Sequence, residues 1–504
     1  MLVRRPKLPI NGRGVMGDDS RPGEGPQARP NAQTMLERFF RLSENHTTVR
    51  TELLAGLTTF LTMAYIIVVQ PAVLSGAMFG MKTGMDFGAV MTATCLSAAL
   101  ATAIMALYAR YPIAQAPGMG QNFFFVFSAT PAAVAAGFAN GWEVALGAVF
   151  LSGVLFLALS LVGLREMIFN AVSPSLKSGI AVGIGLFIAF IGLQNTGLIV
   201  KDPGTAVKMN AHFLSPDLLV FFFGLLVVAV LHARRVRGSI LWGIAAATGL
   251  AIVLKLALPQ FPSLAASELA AKSMLTERFA IAKGLVSAPP SLAPTFLKFD
   301  LAHAVSLPML PFVFVFLFML VFDTIGTLIG VCQQAGFIKD NQLPRAREAM
   351  LSDAVGTVAG AALGTSTVTS FIESAAGVEQ GGRTGLTGLT TAALFLLALF
   401  FSPVVAMIGS YPPITAPALV VVGAMMCQNV TQIDWADYSE SIPAFLTVIG
   451  IPLSYSIADG MALGFISYPV IKLFSGKGRQ VGWLTYALAV ILIAYFVFVR
   501  AKMG

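Results

Sequence analysis

Charged residues are scarce in this chain. Only 11% of its 504 residues are Asp, Glu, Lys or Arg, whereas 56% are hydrophobic, and the mean hydropathy is +0.80. A soluble globular domain carries about 25% charged residues, so this composition excludes an ordinary soluble protein. Many apolar runs reach the roughly 20 residues that a helix needs to cross a bilayer. The sequence therefore predicts an all-α polytopic membrane protein embedded in the lipid bilayer.

Cysteine and histidine are also rare. Three cysteines and four histidines are scattered singly, without the spacing of a metal or haem site. We therefore expect no metal and no cofactor. An intramembrane enzyme would need a nucleophile–base pair or a metal constellation, which no apolar segment supplies, so we do not expect an enzyme.

The basic balance of the chain indicates topology rather than a nucleic-acid partner. The formal net charge is +8, and nine basic against five acidic residues lie within the first 50. The other basic residues fall in short loops, where they mark the inner face of a membrane. With the N-terminus cytoplasmic, their positions fit fourteen spans. We expect a multi-pass protein of the plasma (inner) membrane.

The chain divides into a tail, two halves and an extension. Residues 1–45 read as a disordered cytoplasmic tail, 46–258 as a first repeat of seven spans, 259–303 as an external loop, 304–475 as a second repeat and 476–504 as an apolar extension. Within the extension we favour an interfacial position for the run 482–499. The predicted spans are 52–77, 87–109, 112–130, 143–163, 174–195, 216–232, 238–258, 305–332, 350–364, 365–379, 385–409, 413–428, 441–457 and 459–474.

The third and tenth spans are short and interrupted by glycine, proline and polar residues, at 115–122 and 364–377. Because a repeat of seven spans is odd, the second copy would be inverted in the membrane. Inverted repeats with broken segments at matching positions are typical of transporters, with the site between the breaks. A polar helix-packing seam is the alternative interpretation of 364–377.

Two carboxylates lie within predicted membrane spans, where a charged side chain costs free energy. Glu373 falls within the tenth span and Asp323 within an apolar run, 307–332, that otherwise carries no charge. An intramembrane acid normally faces a partner, a cavity or a substrate, and the central spans offer no Lys or Arg as partner. Burial without a cation favours the protonated acid, so both are candidates for substrate binding and proton coupling.

Amide and aromatic side chains supply further candidates. Asn122 ends the broken third span and offers both donors and an acceptor to a heterocycle, and the phenylalanines from Phe123 onward could stack on a flat ring. Gln70, in the first span, is a weaker candidate. Asp353 fits the acid of a helix terminus better than a ligand.

Four motifs, in order, resemble the AzgA-like purine permeases of the nucleobase–cation symporter superfamily. They are RTE..AGLTTFLTMAYII from residue 50, APGMGQN from 116, FDTIGTL from 322 and GTSTVTSFIESAAGV..GGRTGL from 364. The resemblance implies a core and a gate domain, elevator-like movement, proton symport, a homodimer, and hypoxanthine, guanine or adenine as substrate. It implies substrate contacts at Asp323, Glu373 and Asn122. The short segments that present backbone groups to the cavity in this family correspond to Gly118–Gly120 and 370–374 of this chain. Thr369 adjoins the second of these segments.

Two departures leave the exact base open. Phe123 stands where the family usually has a small residue, and Gln70 where it commonly has Asn. Three alternatives also stay open at this point: an anion carrier of the sulfate or bicarbonate kind, an intramembrane enzyme, and a sensor that binds purine without transporting it. Two midplane carboxylates without a cation argue against the anion carrier.

Overall fold

The computed structural model describes residues 35–162, 173–261, 267–337 and 344–494. Helices make up most of this part of the chain. In chain order they are α1 Met35–Phe40, α2 Val49–Met63, α3 Ile66–Leu74, α4 Phe87–Ile104, α5 Met119–Phe124, α6 Thr130–Ala135, α7 Gly141–Val162, α8 Pro174–Asn195, α9 Pro216–Ala233, α10 Ser239–Ala257, α11 Glu268–Ala271, α12 Met274–Glu277, α13 Leu301–Ala304, α14 Leu310–Gln334, α15 Ala346–Leu363, α16 Ser374–Glu379, α17 Gly385–Ala398, α18 Ser402–Gly409, α19 Pro412–Cys427, α20 Tyr438–Ser454, α21 Ile457–Phe474 and α22 Trp483–Ala494. Four short strands are β1 Gln115–Pro117, β2 Ile199–Asp202, β3 Ala206–Met209 and β4 Val368–Ser370.

Several helices begin where the sequence predicts. The hydroxyl groups of Ser173 and Ser215 accept hydrogen bonds from the first turns of α8 and α9, each of which has proline as its first residue. This is the favoured chemistry of a helix start. Among the described residues, nine helical stretches are long and apolar enough to cross a membrane. The remaining predicted spans coincide with α15, α20, α21 and the two broken segments.

The third and tenth segments are broken as predicted. Instead of continuing as helices through the protein, they contain β1 and β4, which pair antiparallel with Ala116 opposite Thr369. Helix α5 follows β1, and α16 follows β4 after a short turn. The antiparallel pairing agrees with two halves that are inverted relative to each other, and it satisfies backbone groups that would otherwise be unpaired at membrane depth.

Helix packing falls into two groups. The core bundle comprises α2–α7 and α14–α18, together with β1 and β4. The gate bundle comprises α8–α10 and α19–α21, in which α8 packs extensively on α19 and α20. Each bundle takes elements from both halves of the chain, as expected for intertwined inverted repeats.

Two segments differ from the sequence-based expectation. The predicted disorder of residues 1–45 extends too far, because α1 and the following turn are formed and the side chains of Phe40 and Leu42 pack on Leu386. Residues 1–34 lie outside the described part of the chain. Strands β2 and β3 form a hairpin that was not predicted. Helix α22 packs on α21. The interfacial position of the run 482–499 stays a prediction, and its residues 495–499 lie outside the described part of the chain.

Candidate functional site

The pair of strands β1 and β4 is the scaffold of the site. Its ladder is extended at one end by a hydrogen bond of 3.0 Å from Gly118 N to Thr367 O, and at the other by one of 2.9 Å from Phe371 N to Ala114 O. Thr357 on α15 supports β4, since its hydroxyl donates to Val368 O at 2.7 Å and accepts from Val368 N at 3.2 Å. Specific hydrogen bonds thus hold the two broken segments together, which makes the paired strands a rigid part of the site.

Asp323 projects from α14 and its side chain is exposed. Its Oδ2 accepts a hydrogen bond of 2.5 Å from Nε2 of Gln121 on α5. Gln121 itself is fully buried, and its Oε1 has no hydrogen-bond partner among the residues that the structure describes. The carboxylate of Asp323 therefore meets a neutral donor from the broken third span and keeps acceptor positions free for another molecule.

Glu373 stands at the start of α16 and is half-buried. Its Oε1 accepts a hydrogen bond of 2.8 Å from the hydroxyl of Tyr65, a buried residue between α2 and α3. Within the described ranges, neither Glu373 nor Asp323 forms an ion pair. Both predicted carboxylates are thus supported by neutral donors, a setting in which each can exist in charged or protonated form.

Asn122 and Gln70 lie together in a buried amide network. Nδ2 of Asn122 donates to Oε1 of Gln70, and Oδ1 of Asn122 accepts from the hydroxyl of Ser366. Nε2 of Gln70 donates to Thr365 Oγ1 at 2.8 Å and to Ser366 Oγ at 3.2 Å. The network joins the first, third and tenth segments. In this conformation the amide of Asn122 is occupied by protein groups, so its predicted contact with a substrate remains a prediction.

The carboxylate of Asp353 supports the site by accepting hydrogen bonds from three other segments. Asp353 is fully buried on α15, and its carboxylate accepts from Ser370 N at 3.0 Å, Ser370 Oγ at 2.9 Å, Thr324 Oγ1 at 2.5 Å and Gln115 Nε2. Its interpretation as a helix-terminus acid was wrong, because α15 begins at Ala346 and places Asp353 in the helix interior. Four donors from three segments converge on one carboxylate, which fixes β4 and the residue after Asp323.

Steric contacts explain why positions 118 and 120 are occupied by glycine. A Cβ atom on Gly118 would lie 2.2 Å from Gln121 Oε1 and 2.8 Å from Thr369 Cγ2, so it would clash with both side chains. A Cβ atom on Gly120 would lie 3.2 Å from Ile184 Cγ2, on the gate bundle. Thr369 and Ser370 are buried in β4. Glycine at 118 and 120 therefore permits close approach within the site and between the bundles.

Phe123 is fully buried and packs on other rings. Its centroid lies 6.1 Å from that of Phe79, 6.2 Å from that of Phe127 and 6.3 Å from that of Phe187. The structure thus places Phe123 in an aromatic cluster beside the site. Stacking of Phe123 on a substrate stays a prediction.

The comparison with protein families shows to which family the chain belongs. A model of the Permease family matches residues 50–463. The chain belongs to this family. Its membership of the AzgA-like purine permeases, inferred from four motifs, is likewise confirmed.

Relatives of this permease have named substrates. The guanine/hypoxanthine permease PbuG of Bacillus subtilis is 42% identical over 471 residues, which cover 92% of this chain and 100% of the relative. The adenine permease AdeP of Escherichia coli is 38% identical over 470 residues, covering 93% and 97% respectively. The permease is therefore a multi-pass membrane transporter.

Solved structures share the fold of the permease. The transmembrane domain of a cyanobacterial bicarbonate transporter, BicA, matches with a TM-score of 0.58 at 15% identity, covering 81% of this chain and 97% of that domain. The murine anion transporter Slc26a9 in its inward-facing state matches with a TM-score of 0.57 at 11% identity, covering 90% and 74%. These similarities concern the fold alone.

The roles of three residues of the site, Tyr65, Gln121 and Asp353, could not be predicted from the sequence. Tyr65 and Gln121 carry donors within the first and second motifs, yet nothing in the sequence shows that they meet Glu373 and Asp323. Asp353 was seen and misassigned. Their partners lie in distant segments, so only the folded chain reveals the pairings.

Proposed function

We propose that the permease takes up a purine nucleobase, hypoxanthine and guanine or adenine, together with a proton. The observation that carries the proposal is the pair of carboxylates, Asp323 and Glu373, each bonded to a neutral donor and neither paired with a cation among the described residues. An ionised carboxylate accepts hydrogen bonds from ring N–H and exocyclic amino groups, whereas a protonated one donates to a ring nitrogen. One carboxyl group can therefore bind the base and the proton together.

The relatives support this substrate class. The named permeases of Bacillus subtilis and Escherichia coli are aligned over almost their whole lengths, and one group is named for guanine and hypoxanthine while the other is named for adenine. Gln70 and Phe123, where this chain departs from the common pattern, leave the choice between these bases to experiment.

The arrangement disfavours an anion substrate. Two acids of like charge, with no ion pair to Lys or Arg in the part of the chain that the structure describes, would repel an anion. The shared fold with bicarbonate and other anion transporters does not alter this expectation, because those similarities fall at 15% identity and below.

For the transport cycle we propose an elevator movement of the core bundle against the gate bundle. The carboxylates and the broken spans all belong to the core bundle, so the base would travel with it. We place the N-terminus in the cytoplasm and the protein in the plasma membrane, since the basic loops then fall inside. The resemblance also favours a homodimer.

Uptake into liposomes tests the function. Hypoxanthine, guanine, adenine, uracil and sulfate would each be offered with and without an inward proton gradient, to the wild type and to Glu373→Gln. We expect gradient-driven accumulation of a purine and at least about a hundredfold loss in Glu373→Gln, as for a charged hydrogen bond removed from a buried site.

The matched control is Glu44→Gln, because Glu44 is an exposed acid in a surface ion pair of 3.6 Å with Arg41. Its uptake should equal that of the wild type. Purine uptake that ignores the gradient would overturn proton coupling. Purine binding without accumulation would indicate a sensor, and accumulation of sulfate instead of purine would overturn the substrate.

A further inference from the structure

Aromatic rings meet where the two bundles face each other beside the site. We call these six residues the aromatic cluster: Phe79, Phe123 and Phe127 from the core bundle, and Phe187, Phe190 and Tyr455 from the gate bundle. No predicted function accounts for it, apart from the suggestion that Phe123 stacks on the substrate.

Three ring contacts in the cluster, Phe123–Phe187, Phe127–Phe187 and Phe127–Tyr455, cross from one bundle to the other. The ring of Phe127 lies 5.3 Å from that of Tyr455 and 6.0 Å from that of Phe187, both edge to face. Phe187 and Tyr455 are themselves 5.2 Å apart and edge to face. Edge-to-face contacts are favourable but individually modest. A seal built from them can hold two bundles together and still separate.

The cluster lies directly beside the substrate residues. Phe123 follows Asn122 on α5, and Gly120 on the same helix abuts Ile184 of α8. Phe187 is three residues after Ile184, which is about one helical turn further along α8. The cluster therefore covers the site on the side toward the C-terminal end of α8.

Burial is graded across the cluster. Phe123 and Phe187, next to the site, have no exposed surface, Phe79, Phe127 and Phe190 are half-buried, and Tyr455 is 37% exposed. The exposed fraction of the rings thus increases from the site outward, and Tyr455 is the outermost ring of the cluster.

Tyr455 is also held in an unfavourable backbone conformation. It ends α20 with φ of 53°, in the left-handed region, which a residue with a large side chain rarely adopts. Such strain persists only where surrounding contacts fix it, and it concentrates at functional positions. Here the ring contacts with Phe127 and Phe187 supply those contacts.

We propose that the aromatic cluster is the gate that closes the site toward the face carrying the α3–α4 and α20–α21 turns, and that Tyr455 is its outer ring. This inference rests on the proposed transport function. With the N-terminus in the cytoplasm, the gated face is the extracellular one. Movement of the core bundle would draw Phe79, Phe123 and Phe127 away from Phe187 and Tyr455 and open the path for a flat base.

Access of a thiol reagent to the site tests the gate. Met319 is buried on α14, and its Cε lies 3.7 Å from where a Cβ of Gly120 would be. The reporter would be Met319→Cys in a chain whose three native cysteines are replaced by alanine. A membrane-impermeant maleimide is added from the gated face, and the rate of labelling is measured.

We expect Tyr455→Ala to raise the labelling rate about tenfold, the effect of losing its edge-to-face contact with Phe127 across the two bundles in the closed state. Tyr455→Phe keeps the ring and should retain the original rate. Tyr455→Gly removes both the ring and the backbone strain, and should label as fast as Tyr455→Ala if the ring forms the seal.

The matched control is Phe60→Ala. Phe60 and Phe395 form an edge-to-face pair of 5.3 Å that lies wholly within the core bundle. Its labelling rate should not change. An unchanged rate in Tyr455→Ala, or an equal rise in Phe60→Ala, would overturn the gate. Because labelling does not depend on which solute is carried, faster labelling without purine uptake would leave the gate intact and reject the proposed function instead.

Discussion

At the scale of single residues, the site contains three carboxylates in two different hydrogen-bonding settings. Asp323 and Glu373 each have one neutral donor, whereas Asp353 accepts from four. An acid with free acceptor positions can receive a ligand, and an acid that is saturated with donors cannot. The difference in hydrogen bonding supports the proposal that the first two bind the ligand, and it indicates that the third supports the site.

Replacement of Asp353 should therefore weaken the whole site. In Asp353→Ala, the donors of Ser370, Thr324 and Gln115 lose their acceptor in a buried place, at a cost of about 3 kcal/mol. We expect a lower apparent melting temperature in detergent and loss of purine binding, with binding measured directly on the purified protein.

The neighbouring variant Ser352→Ala serves as control, because the Ser352 hydroxyl donates only within its own helix, to Glu348 O at 2.8 Å. It should melt and bind like the wild type. Normal binding by Asp353→Ala would show that β4 needs no support from α15.

At the scale of elements, hydrogen bonds between the two halves hold helix ends in place. Glu52, on the first turn of α2, is fully buried and accepts from Arg383 N at 2.9 Å, Thr384 N at 3.2 Å, Thr387 N at 3.2 Å and Thr387 Oγ1 at 2.6 Å. Its carboxylate therefore caps α17 across the core bundle, where a negative charge also complements the helix dipole.

Loss of this cap should destabilise the core bundle without touching the substrate. We expect Glu52→Ala to cost about 2 kcal/mol, since several buried N–H groups lose their acceptor. The apparent melting temperature should fall, and the protein that remains folded should keep its affinity for purine. A parallel measurement on Glu44→Gln supplies the exposed-acid control, and equal melting of the two variants would disprove the capping role.

The elements were more predictable than the contacts between them. Span boundaries followed from apolar length, which is a local signal. The breaks at 115–122 and 364–377 followed from glycine and proline. The bonds of Tyr65 to Glu373 and of Asp353 to Ser370 join segments far apart in the chain, and local patterns hold no information about such pairings. Position 353 was misassigned because the start of α15 was placed several residues too late.

At the scale of the whole molecule, two bundles share few contacts, and these include the glycine-lined approach of α5 to α8. Gly120 meets Ile184 there with almost no space between them. If transport requires the bundles to slide, this contact must break in each cycle.

A covalent link across that contact should stop the cycle. In a cysteine-free background, Gly120→Cys combined with Ile184→Cys should form a disulfide on oxidation and abolish uptake, and reduction should restore it. Liposome uptake before and after reductant measures the effect.

A link inside one bundle provides the comparison. A Cβ atom on Gly388 would lie 3.0 Å from that of Ala106, and both residues belong to the core bundle. Oxidation of Gly388→Cys with Ala106→Cys should leave uptake unchanged. Full transport by the cross-bundle disulfide would exclude the elevator movement.

The pairing of β1 with β4 has a consequence for how the permease is made. Strand β1 lies in the first half of the chain, and its partner is complete only when synthesis has reached residue 370. Until then the third segment has a stretch of open backbone whose hydrogen bonds are unsatisfied, which hydrocarbon does not tolerate. The nascent third segment must therefore wait in a protected or aqueous place, such as the insertion machinery or the membrane surface. The transport site is consequently among the last features of the permease to form during biogenesis.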